Sequence, residues 1–236
     1  MLTFTVVYDN NTYDRALEAD WGFACLVEHP EATVLFDTGG RGNLLLANMQ
    51  ALGKDPAAID LVVLSHAHGD HTGGLGALLG VVSATVALPA SFPASFKREV
   101  RRLTEVVDID APQTLLPGVM TTGPVSGPPV EQALAVETAE GWVVVTGCAH
   151  PGVERMTRAA KEAGADDVAL VLGGFHLGSA STGRIRETID ALQTLDVRAV
   201  APMHCTGKQA RRLFANAYRG DCRLAGVGAT FTFEAP

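Results

Sequence analysis

The chain has 236 residues, 47% of them hydrophobic, and a formal charge of −8 with 19% charged and 6% aromatic residues. That much apolar material supports a substantial core and excludes disorder or a coiled coil, while the acidic balance argues against general nucleic-acid binding and leaves room only for a local anion pocket. Four widely spaced cysteines (Cys25, Cys148, Cys205 and Cys222) form no CxxC pair and predict reduced thiols. The N-terminus has no basic-then-apolar leader, and no run approaches the roughly 18 apolar residues of a membrane span, so a soluble cytoplasmic protein is expected, of open oligomeric state.

In chain order, 2–8, 23–28 and 33–36 read as strands, the last two joined by a turn at His29-Pro30-Glu31, with His29 on the surface. Helical spacing covers 43–52. Residues 60–65 are a continuous apolar, buried strand, and 72–79 open a helix after it. A short strand at 85–88 precedes a helix over 92–103 and a strand over 104–109. Lys97, Arg98, Arg101 and Arg102 share one face of that helix, read as solvated. Residues 111–130 hold five prolines and three glycines and read as loops with short extended pieces, a connector in preference to a flap. Segments 133–137 and 142–146 form a hairpin around Glu140-Gly141, and 153–163 is a helix stopped by Gly164. A strand at 168–172, a helix at 184–195, a strand at 197–201 and a helix at 208–217 follow, with strands at 223–225 and 230–233 closing the chain. No linker divides it, so residues 1–236 are expected to form one α/β domain whose helices cover a mixed, largely buried sheet system.

The chemistry concentrates where apolar strands end. Residues 64–74 read LSHAHGDHTGG, placing three of seven histidines and an aspartate within six positions. Protonated histidines so close would repel, and these polar groups cannot all find ordinary partners cheaply; a cation removes both problems. His66 and His68 project to one side of an extended segment and can share an ion, and Gly69 lets the chain bend to aim Asp70 and His71 at a neighbouring point. Three further strand exits carry His150, His176 and His204. His150 or His204 alone reads equally well as a satisfied residue, and for His176 that reading is the weaker one. Together, His66, His68, Asp70, His71, His150 and His204 are too many for one tetrahedral site with an open position, and suit two. His176 follows two glycines and is read as a substrate-contacting residue or general acid, the competing reading being a seventh ligand. Cys205-Thr206-Gly207 either presents amides to an anion or caps the following helix through Thr206.

HAHGDH at 66–71 resembles the HxHxDH signature of the metallo-beta-lactamase superfamily, with FDTG at 36–39, TGC at 146–148 and a late strand ending in His204 in matching order. The segments at 64–75, 146–152 (TGCAHPG), 173–177 (GGFHL) and 204–207 (HCTG) resemble the branch that includes a dihydropterin–aminobenzene phosphate synthase. The resemblance implies an αββα sandwich, two mixed β-sheets flanked by helices, with metals at one edge. It implies a first site of His66, His68 and His150 and a second of Asp70, His71 and His204. Asp37 then orients a ligand, unless it only forms a turn. One departure stands out: many hydrolases of the superfamily place a bridging aspartate where this chain has Cys148, and no histidine lies between His71 and His150. Cys148 is either a thiolate ligand or an inert buried thiol, the second being preferred.

The function so implied is a dinuclear, metal-dependent hydrolase-type enzyme acting on a small anionic metabolite through metal-bound hydroxide, with Asp70 and His176 catalytic. Two divalent ions are expected, zinc first, with iron or manganese also suiting the ligands. The alternatives are a pterin-type transferase or synthase, an iron-dependent redox enzyme, and a non-catalytic metal-sensing module.

Overall fold

The computed structural model describes residues 1–236. The first half gives β1 (Leu2–Asp9), β2 (Phe23–Glu28), β3 (Thr33–Phe36), α1 (Gly42–Ala51), β4 (Ile59–Val63), α2 (Gly69–Thr72), α3 (Leu75–Leu79), β5 (Thr85–Pro89), α4 (Ala94–Val100) and β6 (Val106–Ile109). The second half gives β7 (Gln113–Leu116), β8 (Val119–Thr121), β9 (Leu134–Thr138), β10 (Gly141–Thr146), α5 (Val153–Glu162), β11 (Val168–Gly174), α6 (Thr182–Thr194), β12 (Ala199–Met203), α7 (Lys208–Tyr218) and β13 (Thr230–Phe233). One sheet runs β13-β1-β2-β3-β4-β5-β6 and the other β12-β11-β10-β9-β8-β7.

Each sheet is antiparallel where hairpins connect it and parallel where helices cross over. Strands β3, β4, β5 and β6 pair in parallel, as do β10, β11 and β12. Apart from the edge strand β6, which carries exposed Asp108, these strands are largely sheathed on both faces, which explains their apolar runs. Period-two alternation sorts each strand between two cores. Leu61 and Val63, with Val143, Val145, Leu170 and Leu172, meet between the sheets. Val62 and Leu64 pack outward under α1 and α3, while Val144 and Val171 pack under α5, α6 and α7. The result is four layers, helix–sheet–sheet–helix. No helix is long and apolar enough to cross a membrane.

Three expectations need correction. Residues 111–130 hold two paired strands, β7 and β8, turning at Pro117-Gly118 and extending the second sheet beyond β9; proline is tolerated in such an edge hairpin because it sits in the turn. The helix expected over 72–79 is broken into α2 and α3, because the Gly74 N–H donates to the Gly39 carbonyl instead of continuing the helical ladder; a Cβ on Gly74 would sit 2.1 Å from the Thr38 carbonyl oxygen. Residues 223–225 form no strand: Cys222 makes a single bridge to Val200, Arg223 N–H donates to the Val200 carbonyl, and the chain then passes tightly against Asn11 at Gly226.

Candidate metal centre

Strands β4, β10, β11 and β12 all end at one edge of the sandwich, and the segments leaving them carry the ligand candidates. The turns are sharp. Asp37, Ala149, His176 and His204 hold positive φ values of 59°, 59°, 49° and 48°, a conformation disfavoured for side chains with a Cβ and concentrated at functional sites. The glycine of TGC is dictated by space: a Cβ on Gly147 would lie 2.2 Å from Ser65 Oγ and 2.8 Å from Asp37 Oδ2.

Two ligand groups form side by side. One ligand atom from each of His66, His68 and His150 lies within 4.8 Å of the others, and the same holds for Asp70, His71, Cys148 and His204. The groups adjoin through the His66 and His71 rings, whose centroids are 4.3 Å apart. In the second group His71 Nε2 is 3.2 Å from His204 Nε2 and 3.3 Å from Cys148 Sγ, and Asp70 Oδ2 lies 3.6 and 3.4 Å from the two imidazoles. Cys148 is buried, as expected, but its sulfur lies among these ligand atoms rather than in the apolar core.

The opposite ring nitrogens are tied down. Ser65 Oγ donates to Asp37 Oδ2 at 2.7 Å and faces His66 Nδ1 at 2.8 Å, so that imidazole donates to the hydroxyl. His71 Nδ1 meets Asp37 Oδ2 at 2.7 Å, His150 Nδ1 meets Glu131 Oε2 at 3.0 Å, and His204 Nδ1 meets Asn10 Oδ1 at 2.8 Å. Each partner accepts, so each Nδ1 carries the proton and each Nε2 turns into the site. His66 Nε2 is buried with no hydrogen-bond partner. Converging acceptor atoms, one of them a buried nitrogen without a partner, are what a bound cation would satisfy. The donor set therefore fits two divalent ions.

Electrostatics favour the neutral state at His66 and His71, whereas at His204 the Asp70 hydrogen bond, Cys205 and Asp9 outweigh burial and raise the pKa. Burial, reinforced by the neighbouring His71, lowers His66 to about 3; burial and His204 lower His71 to about 4, leaving both neutral as ligands must be. Burial opposes ionisation of Asp70, but a proton on His204 Nε2 shared with it, together with the neighbouring His71, outweighs burial and holds it below the usual carboxylate range; a bound cation would take that proton's place. Glu131 is wholly buried, yet the His150 hydrogen bond, His66 and backbone N–H groups outweigh burial and hold it at about 2.

Glu131 is the largest element that sequence reasoning missed. Its Oε1 accepts from the N–H groups of Cys148 and Ala149, both at 2.8 Å, and its Oε2 from that of His150 at 2.9 Å. The adjacent Gln132 donates from Nε2 to the Leu64 carbonyl at 2.8 Å and from its N–H to that of Ser65 at 3.0 Å, lacing the second sheet to the β4 exit. Asp9 and Asn10, in the DNN run where β1 ends, hold His204 at its N–H and Nδ1. The sequence signals were faint: a polar pair opening an apolar strand, and an Asn-rich turn.

His176 joins neither group. Exposed, it packs its ring on His150 at 4.2 Å, and with Cys148 and Cys205 it forms a third set of ligand atoms within 4.8 Å. Hydrogen bonding to Cys205 raises its pKa above the ordinary value. Thr206 does not cap α7, as one reading had it; its hydroxyl donates to Met203 O and accepts from Phe175 N–H, and Gly207 occupies the cap.

The chain matches the model of the Metallo-beta-lactamase superfamily over residues 22–204. It is 29% identical to the 7,8-dihydropterin-6-methyl-4-(beta-D-ribofuranosyl)-aminobenzene-5'-phosphate synthase of Methanocaldococcus jannaschii, over 98% of this chain and 96% of that one. Among solved structures it is similar to Tm1679, a metal-dependent hydrolase of the beta-lactamase superfamily (TM-score 0.86, 26% identity, 99% of this chain and 100% of that one). It also shares the fold of YhfI from Bacillus subtilis (TM-score 0.72, 16% identity, 98% and 100% covered). The matched span runs from the loop before β2 to His204 and takes in every ligand candidate, so the chain belongs to the metallo-beta-lactamase superfamily.

Proposed function

We propose that the protein is a two-cation enzyme that cleaves a phosphoryl or acyl bond in a small anionic metabolite. The observation that carries this reading is the pair of adjoining ligand groups, each with its Nε2 atoms turned inward and one of them containing an unpartnered buried nitrogen. His66, His68 and His150 would hold one ion and Asp70, His71, Cys148 and His204 the other. When bound, the cations supply Lewis acidity toward the substrate oxygen and lower the pKa of water. The chain's own part is positional. Asp37, Glu131, Ser65 and Asn10 fix the imidazoles, Asp70 stays ionised between His71 and His204, and His176 offers an exposed imidazole beside His150 that can hold a proton for the leaving group. Zinc suits the imidazole and thiolate donors best; iron and manganese remain compatible with the nitrogen and oxygen ligands.

A second reading, a synthase joining a pterin precursor to an aromatic amine, is favoured by the near-full-length similarity to the methanogen enzyme. Metal analysis followed by acid-quench assays on phosphodiester, thioester and lactone panels tests the first. Two ions per chain with turnover on one class is the expected result; metal-replete protein inert on all three, but active in coupling a pterin to an arylamine, replaces it with the second. His176→Ala should keep both ions and lose turnover, and loss of metal would make His176 a ligand instead.

A further inference from the structure

The ligand wall ends in a solvent-facing ring at each side. From His204 the imidazoles succeed one another through His71, His66 and His150 at centroid spacings of 5.0, 4.3 and 4.7 Å. Beyond His150 lies exposed His176. Beyond His204 lies Trp21, whose indole sits 4.9 Å from the His204 ring at 52° and is 56% exposed. Tyr13, equally exposed, packs on none of these rings.

Trp21 is held in place by its surroundings. Its N–H donates to Asp20 Oδ1 at 2.8 Å, and Asp20 Oδ2 is gripped by Arg41 Nη1 at 3.1 Å and Tyr8 Oη at 3.4 Å. Its carbonyl abuts Gly40, and the next residue, Gly22, runs so close to the Asp70 carbonyl that a Cβ there would come within 2.5 Å. The loop therefore fixes a large flat apolar ring in water at the rim of the second ligand group. An indole tilted against a ligand imidazole and more than half exposed is suited to stacking a flat π-system.

Resting on the two-cation reading, we propose that Trp21 is the stacking platform for a planar aromatic ring of the substrate, which places the ring's anionic substituent toward the cations. The platform makes the natural substrate a flat, ring-bearing anion rather than an aliphatic ester. No bond is made or broken by Trp21; it is a binding and positioning residue.

The chain has two tryptophans, so a Trp142→Phe background leaves Trp21 as the sole indole reporter. Metal-loaded protein is titrated with a pterin carboxylate, with 4-aminobenzoate and with inorganic phosphate, following Trp21 emission and calorimetric affinity. The expected result is saturable quenching by at least one ring probe. Trp21→Ala should weaken that probe about tenfold, the size of one lost stacked ring, Trp21→Phe should restore most of it, and phosphate affinity and metal content should stay unchanged. Whichever ring probe responds identifies the ring. Three results overturn the platform: no ring probe binding where phosphate does, ring affinity within twofold of the parent in Trp21→Ala, or equal weakening of phosphate, which would make Trp21 a mere support of His204. Protein that takes up no metal would instead sink the two-cation reading, a failure visible before any probe is added.

Discussion

The two ligand groups differ in donor type and in exposure. The first, His66, His68 and His150, is all imidazole, and its members range from fully buried to exposed. The second combines a carboxylate, two imidazoles and a thiol, and all but Asp70 are buried. Within each group the anchors are mixed: buried carboxylates, Glu131 and Asp37, hold His150 and His71, whereas neutral Ser65 and Asn10 hold His66 and His204. An open nitrogen site leaves positions for substrate and water; a shielded site with sulfur selects a softer ion and releases it slowly. On the two-cation reading, the first group would be the working face of the centre and the second its more fixed partner.

The largest effect that would break this contrast comes from His71, whose ring packs on both His66 and His204 and whose Nδ1 engages Asp37. His71→Ala should empty both groups and lower turnover by about 10³-fold, the several kcal/mol that a catalytic cation contributes. Elemental analysis retaining one ion per chain would show that the groups load independently. Next, Cys148→Ser should strip sulfur from the second group alone: cobalt-loaded protein loses its thiolate charge-transfer absorption, and metal content under a competing chelator drops toward one ion. An unchanged spectrum would return Cys148 to the role of an inert thiol.

Glu131→Gln turns an amide NH₂ toward N–H donors and removes the charge facing His150. Metal affinity of the first group should fall by about 10- to 100-fold, measured by chelator competition, with a lower Tm. Affinity unchanged at lowered Tm would make Glu131 a folding residue only. The smallest effect is expected from Asn10→Ala, where one neutral hydrogen bond worth about 1 kcal/mol is lost. Only the second group should weaken, by a few fold; a loss as large as that of Glu131→Gln would erase the difference between charged and neutral anchors.

What the sequence disclosed follows from distance along the chain. His66 to His71 are adjacent, so their crowding alone demanded a cation, and the doubly covered strands announced themselves as apolar runs. The grouping of His150 with His66 and His68, and of His204 with Asp70 and His71, came from the motif resemblance rather than spacing. Glu131 escaped notice because its partners lie 17 to 19 residues away, and Asn10 because its partner is 194 residues distant; neither carries a local pattern. The edge strands β7 and β8 were masked by prolines and glycines in their turns, which read as loop when pairing partners are unknown. Trp21 looked like any loop aromatic until the fold set it on His204.

The link between Asn10 and His204 joins the end of the first strand to the end of the twelfth. During synthesis, a growing chain presents His66, His68, Asp70 and His71 early, but no growing chain can complete either group before residues 150 and 204 have emerged. An ion captured by the nascent segment alone would have incomplete coordination and could be exchanged freely. On the two-cation reading, the second group would therefore commit to its metal only after His204 has docked against Asn10.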